Sequence, residues 1–448
     1  MGALDIAIVG PALPTIRDAF HVDARSAAWV FAIYVLFNLI GNPLMAKLSD
    51  AFGRRSIYVI DVSLFALGSV VVALSPFYSI LLIGRAIQGL GAGGIFPVAS
   101  AVIGDTFPPE RRGSALGMIG AVFGLAFLLG PMLAGIILYF LDWHWLFLVN
   151  LPIAALVIFL AMRLLPAVRP PKRRPFDWQG MALLSLVLSS LSYAINHLDA
   201  VRLRDSFFSH QVWPFLLAAF VLLPIFVWVE RRAEDPVVHL SLFTSKQVVL
   251  ASLLALGAGF GESSVVFVPD LLVEAFKITS SKASFMLLPI VLAMAVGSPM
   301  FGRLLDRMGS KRVVQIATML LALGMFAVGL LPLTVVLFYI SALLVGLGLS
   351  GLLGATLRYI MLSEAPKSER AAAQGILSLF TSTGQLIGGV LVGALATSRG
   401  GGVSGYQFAF ATVGALIVVL WASSFGLKNR EEELATARAQ EIIIEEST

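Results

Sequence analysis

The stretch Ala46-Lys47-Leu48-Ser49-Asp50-Ala51-Phe52-Gly53-Arg54-Arg55 closes one long apolar run, and Gly302-Arg303-Leu304-Leu305-Asp306-Arg307-Met308-Gly309-Ser310-Lys311-Arg312 closes another. The two aspartates lie 256 residues apart, and each is followed by glycine three residues on and then by basic residues. Two further pairs keep nearly the same offset: Gly89-Leu90-Gly91 with Gly346-Leu347-Gly348, and the Glu-Arg steps at Glu110 and Glu369. The chain therefore reads as one unit written twice.

A window of about 20 residues, the helical length that crosses about 30 Å of hydrocarbon, finds fourteen candidate spans around these motifs. They cover 1–16, 27–48, 57–74, 79–102, 115–139, 145–165, 178–197, 213–229, 248–276, 285–305, 313–331, 334–358, 371–396 and 406–427. Composition agrees, with 58% apolar and 13% charged residues where soluble domains run at about half and about a quarter. A soluble fold is excluded. The expected architecture is an all-α polytopic membrane protein of two six-helix bundles plus two extra central helices. Residues 1–165 would form the first half, its first helix shortened, and 247–427 the second. Residues 166–246 would be a linker carrying the extra pair. Residues 428–448 are polar and mixed in charge, which predicts a solvated tail.

Basic residues gather on alternate loops, at Arg54, Arg55, Arg111, Arg112, Arg169, Lys172, Arg173, Arg174, Arg231, Arg232, Arg307, Lys311 and Arg312. Those loops and both termini are expected in the cytoplasm, with the chain in the cell membrane. The net charge of +5 is divided among short loops and builds no basic face, so no nucleic-acid partner is expected. Cysteine is absent, which excludes disulfides, thiolate metal sites and a thiol nucleophile. The glycines of 89–94 and 346–351 match a dinucleotide fingerprint formally, but they lie inside apolar helices and follow no strand. No GxxxxGK[ST] loop and no HExxH occurs. The chain is not expected to be an enzyme, or to hold a metal or a cofactor.

Ionisable residues inside the apolar runs are the candidates for chemistry, since a charge at the bilayer centre costs at least about 3 kcal/mol. They are Asp5, Asp61, Arg85 and Glu262, with Asp270 and Arg358 nearer span ends. Glu262 sits about 15 residues from either end of its span, near the midplane at about 1.5 Å per residue. Asp5 lies at similar depth and 257 residues earlier, so the two carboxylates are expected to line one central cavity. Asp61, one turn inside its span, is expected to pair with loop arginines. Arg85 has Ala342 as its repeat counterpart and, being unable to discharge, must be paired or hydrated. Asp50 and Asp306, at helix ends, can accept backbone N–H groups or pair with the arginines beside them, fastening two helices. In the fifth span the small residues Gly117, Gly120, Gly124, Gly130 and Gly135 invite close backbone approach, and Pro131 permits a bend.

These residues resemble the major facilitator superfamily, in its fourteen-span drug:proton antiporter branch. The resemblance rests on Asp50-x-x-Gly53-Arg54-Arg55 with its repeat at Asp306 and Gly309, on Arg85-x-x-Gln88-Gly89-x-Gly91, on Leu4-Asp5 through Leu13-Pro14, and on Gly117, Gly130, Pro131 and Gly135. Ala126, Ala134 and Ala46 stand where the family pattern has glycine. The resemblance implies alternating access driven by the proton gradient, with Arg85 taking part in proton coupling; Asp5 and Glu262, at equivalent places in the two halves, are expected to be the carboxylates that exchange protons. It implies proton-coupled export of small amphipathic or cationic compounds by a monomer in the bilayer. The alternative is a proton-coupled symporter or an exporter of one metabolite.

Overall fold

The protein is described by a computed structural model over residues 1–22, 24–166, 177–198, 202–278, 280–400 and 402–436. The basic segment around Arg169 to Arg174 and the last twelve residues lie outside the described residues. The helices run α1 Gly2–Phe20, α2 Ala24–Phe52, α3 Arg54–Ala73, α4 Tyr78–Thr106, α5 Arg112–Phe140, α6 His144–Leu148, α7 Asn150–Leu164, α8 Trp178–Asn196, α9 Leu203–Phe207 and α10 Trp213–Glu230. They continue as α11 Lys246–Val265, α12 Val268–Phe276, α13 Ser280–Phe285, α14 Leu288–Met308, α15 Ser310–Leu330, α16 Val335–Leu349, α17 Leu357–Glu364, α18 Arg370–Ser398 and α19 Gly402–Ser423. A π-helical segment, Ser350–Thr356, joins α16 to α17.

Twelve helical stretches among the described residues are long and apolar enough to cross a membrane, counting α6–α7, α11–α12 and α16–α17 each as one. This is two fewer than the fourteen spans read from the sequence. The difference lies at α1 and α5, helices of 19 and 29 residues that are not among the twelve. The expected single span over 248–276 is present as one apolar stretch, Lys246–Phe276, with a local interruption of its helix. Pro269 in the first turn of α12 has no N–H to continue the ladder, and the chain turns at Val266 and Phe267 before resuming.

Glycine placement explains the tightest packing. On α4, Gly89 and Gly93 abut the backbone of α2 at Tyr34 and Asn38, while Gly91 abuts Asp61 and Phe65 of α3. Neighbouring small residues thus serve opposite faces of one helix, and α2 and α3 both close on it, as membrane helices do where small side chains let backbones meet. The glycine run that mimicked a nucleotide motif is a packing device. On α5, Gly113, Gly117, Gly120 and Gly124 face α14 at Gly302, Ser298 and Ala295, and Gly130 faces Ala7 of α1. Gly135, grouped with them in the sequence, has nothing within 4 Å, because by that turn the glycine face of α5 has rotated away from its neighbours. The side chain of Pro131 lies outside the described residues.

Replacing Gly130 by leucine is expected to force α1 off α5, at a cost of about 1–3 kcal/mol for overpacking, and to stop transport. Gly135→Leu should leave the melting temperature and the transport rate near wild type. Thermal unfolding and flux of the two purified variants check the pair, and equal behaviour would refute the close approach at Ala7.

α11 packs on α18, α15 lies between α16 and α19, and α10 packs on α8, which in turn leans on both α2 and α18. Contacts between early and late helices run along two seams, α2 with α18 and α5 with α14.

Candidate functional site: a buried ion pair and two basic-end latches

Arg85 is fully buried in α4, and its Nη1 donates to Asp5 Oδ2 of α1 at 2.6 Å. The same nitrogen lies 2.7 Å from Gln88 Oε1, and Nε donates to the Val30 carbonyl at 2.9 Å. Gln88 stands one turn from Arg85, and this i, i+3 spacing places both on one helix face. Its Nε2 donates to Asp5 Oδ1 at 2.9 Å and to Ser69 Oγ at 2.8 Å, and Asn150 of α7 reaches Asp5 Oδ1 at 3.3 Å. The Tyr34 ring lies 4.3 Å from the guanidinium carbon. Five helices thus meet in one polar network around this carboxylate, which α4 and α7 touch directly and which is itself 1% exposed. A proton arriving at Asp5 would cancel its attraction to Arg85 and leave the guanidinium with the Val30 carbonyl and Gln88 alone.

Glu262 is placed differently. It sits on α11, only partly buried, with the Gln385 side chain of α18 as its hydrogen-bond partner. It does not touch Asp5. The repeat offset put the two acids at equal register, yet one is sealed inside the first six spans and the other stands half-open between two helices of the last six.

Asp61 corrects a second expectation. It is fully buried beside Gly94, and neither carboxylate oxygen has a hydrogen-bond partner among the described residues. Of the loop arginines expected to pair with it, Arg54 is taken up by Asp50 and Asp105 instead. Asp270, also near a span end, is exposed in the first turn of α12.

At the basic end the repeated motif forms two latches. Gly53 and Gly309 hold φ of 99° and 81°, a region open to glycine and strained for other residues, and so turn the chain from α2 into α3 and from α14 into α15. Asp50 pairs with Arg54 and accepts from Ala372 N at 2.9 Å and Ala371 N at 3.4 Å in the first turn of α18. Arg54 Nε also donates to Asp105 at 3.1 Å, and Arg370 reaches the same carboxylate at 3.0 Å. Arg55 takes no part. Asp306 repeats the arrangement, accepting from Gly113 N and Ser114 N, both at 2.9 Å, and from the Ser114 hydroxyl. A carboxylate at the positive end of a helix is the favourable sign, and each latch ties an early helix to a late one.

The linker after α10 and the tail complete this end. Lys47 of α2 donates to Asp235 at 2.6 Å and lies 3.0 Å from His239 Nε2, while His239 Nδ1 faces Glu369 at 3.2 Å. The tail departs from the solvated appendage expected of it, at least as far as residue 436. Glu433 is buried and accepts from the Ser310 N–H and hydroxyl, Arg430 donates to the Asp306 carbonyl and to Tyr359, and Lys428 pairs with Glu364. Burial pushes the Glu433 carboxyl above the usual carboxylate range, and the Ser310 donors pull it partly back. Sequence reasoning quotes Gln88 only as part of the Arg85-x-x-Gln88 motif, without a role, and passes over Asn150, Asp105 and Glu433. Only Gln88 carried a signal, its spacing from Arg85.

Comparison with known proteins agrees with this architecture. The family model described as Major Facilitator Superfamily matches residues 1–261 and 248–443. The uncharacterized MFS-type transporter YfiU of Bacillus subtilis is 34% identical over 89% of this chain and 78% of its own length. Multidrug resistance protein Stp of Mycobacterium tuberculosis is 32% identical over 88% and 73%. A crystal structure of the human organic anion transporter MFSD10 superposes with a TM-score of 0.68 at 18% identity, covering 94% of this chain and 96% of that one. With a family model spanning nearly its whole length and relatives at about one-third identity, the chain belongs to the major facilitator superfamily of membrane transporters.

Proposed function

We propose that the protein is a proton-coupled exporter of small amphipathic compounds, with fourteen spans, both termini cytoplasmic, and halves 1–165 and 247–427 rocking about a central site. The observation that carries this reading is the buried Asp5–Arg85 pair, an acid within the membrane whose protonation must rearrange α1 against α4. Relatives named as multidrug resistance proteins, Stp among them, support the substrate class. Glu262, partly open beside Gln385, is the second proton-exchanging acid. Both latches are fastened, so the described conformation is closed at the basic end, and opening there is the step that admits substrate from the cytoplasm.

The test is flux in proteoliposomes under an imposed pH gradient, with rhodamine 6G as the probe. Wild type should move dye against protons, and Glu262→Gln should lose the dependence on the gradient while still binding dye. Dye movement indifferent to the gradient in wild type would overturn the proton-coupled reading.

A further inference from the structure

Arg358 on α17 differs from the other arginines held inside the spans. Arg85 has Asp5, and Arg54 has Asp50 and Asp105. Among the described residues Arg358 has no carboxylate partner: Nη1 lies 3.3 Å from Gln374 Oε1, the guanidinium carbon is 3.8 Å from the centre of the Phe96 ring, and Nε is buried with no acceptor. Its side chain is only partly buried. The group lies six residues inside the end of α17, about 9 Å at the helical rise.

The group is also fixed in place. Gln374 of α18 clamps it by donating to the Arg358 carbonyl at 2.9 Å, while Phe96 comes from α4 on the other side of the α2–α18 seam. Immediately before it the chain runs through the π-helical turn Ser350–Thr356, with Thr356 Oγ1 donating to the Gly351 carbonyl five residues back. Such turns are rare and concentrate at functional sites, where they re-aim the residues that follow. A guanidinium held rigid at the junction of early and late helices, stacked on an aromatic face and lacking a counter-charge, is built to receive an anion.

We propose that Arg358, positioned by Gln374 and Phe96, binds the carboxylate or sulfonate of an amphipathic organic anion, so that the transported class includes anions. This inference rests on the export reading and specifies its substrate. A lipid headgroup could supply the same chemistry, and the test separates the two sources.

The protein is purified in a neutral detergent without lipid, and binding of carboxyfluorescein is followed by fluorescence anisotropy, with rhodamine 6G as the cationic control. Wild type should bind carboxyfluorescein saturably. Arg358→Gln should weaken that binding at least tenfold, Arg358→Lys should fall between, and rhodamine 6G binding should not weaken in either. Unchanged carboxyfluorescein affinity in Arg358→Gln, or none in wild type, overturns the anion site. So does displacement of carboxyfluorescein by phosphatidylglycerol together with failure of proteoliposomes to move the dye, which assigns the group to lipid. Proton-driven rhodamine 6G flux, measured separately, tells whether the export reading survives either result.

Discussion

Asp5→Asn is expected to abolish proton-driven transport and to destabilise the protein as well. Removing one member of a buried ion pair leaves the other charge unpaired, at a cost of about 3–5 kcal/mol, and Arg85 is fully buried with no other carboxylate in ion-pair contact among the described residues. Asparagine keeps the shape and can still meet Gln88 and Asn150, so the loss would come from charge alone. The double variant Asp5→Asn with Arg85→Met removes the stranded cation. It should regain most of the melting temperature of wild type and none of the coupling. Thermal unfolding and pH-driven dye flux, measured on the single and double variants, separate the two effects. A single variant with wild-type coupling would move the proton site away from α1.

Asp50→Asn should leave folding nearly intact and cut the transport rate by about tenfold or more. The carboxylate accepts from two N–H groups of α18 and pairs with Arg54, and hydrogen bonds to a charged group contribute about 1.5–3 kcal/mol each. Losing one such increment shifts the balance between basic-end-closed and basic-end-open states by roughly tenfold to a hundredfold. Distances across the α2–α18 seam, measured by spin labels, should broaden toward longer values in Asp50→Asn, and Asp306→Asn should do the same at the α5–α14 seam. An unchanged distance distribution with a full transport rate would make the motif a simple topological anchor.

The features legible in the sequence were those written contiguously. Asp50 to Arg55 and its copy at Asp306 announce both the repeat and the helix junctions, because the glycine turn and the carboxylate are local. The span periodicity announces the membrane fold for a similar reason. Partners across the bundle were not legible. Arg85 was marked as needing one, but that Asp5 rather than Glu262 or Asp61 supplies it depends on how α1 is rotated against α4. Gly130 and Gly135 look alike in the chain, and only the rotation of α5 separates the one that meets Ala7 from the one that meets nothing. Arg358 follows a π-helical turn, which breaks the 3.6-residue register by which its direction could have been read. Glu433 sits in a stretch whose composition resembles any solvated tail, and its burial is decided by the Ser310 donors at the start of α15.

The segment between α10 and α11 has a mechanical consequence. Lys47, Asp235, His239 and Glu369 form a continuous strap from α2 through the linker to the loop before α18, and α8 leans on both helices from outside. The α2–α18 seam is thereby bound twice, by its latch and by the strap, whereas the α5–α14 seam has the Asp306 latch. In the rocking motion proposed for the two halves, the α2–α18 edge, doubly linked by charged groups, would act as the spine about which they swing like the covers of a book. The mouth of the opened transporter would then fall along α5 and α14, whose glycine-lined contact is crossed by one latch instead of two linkages.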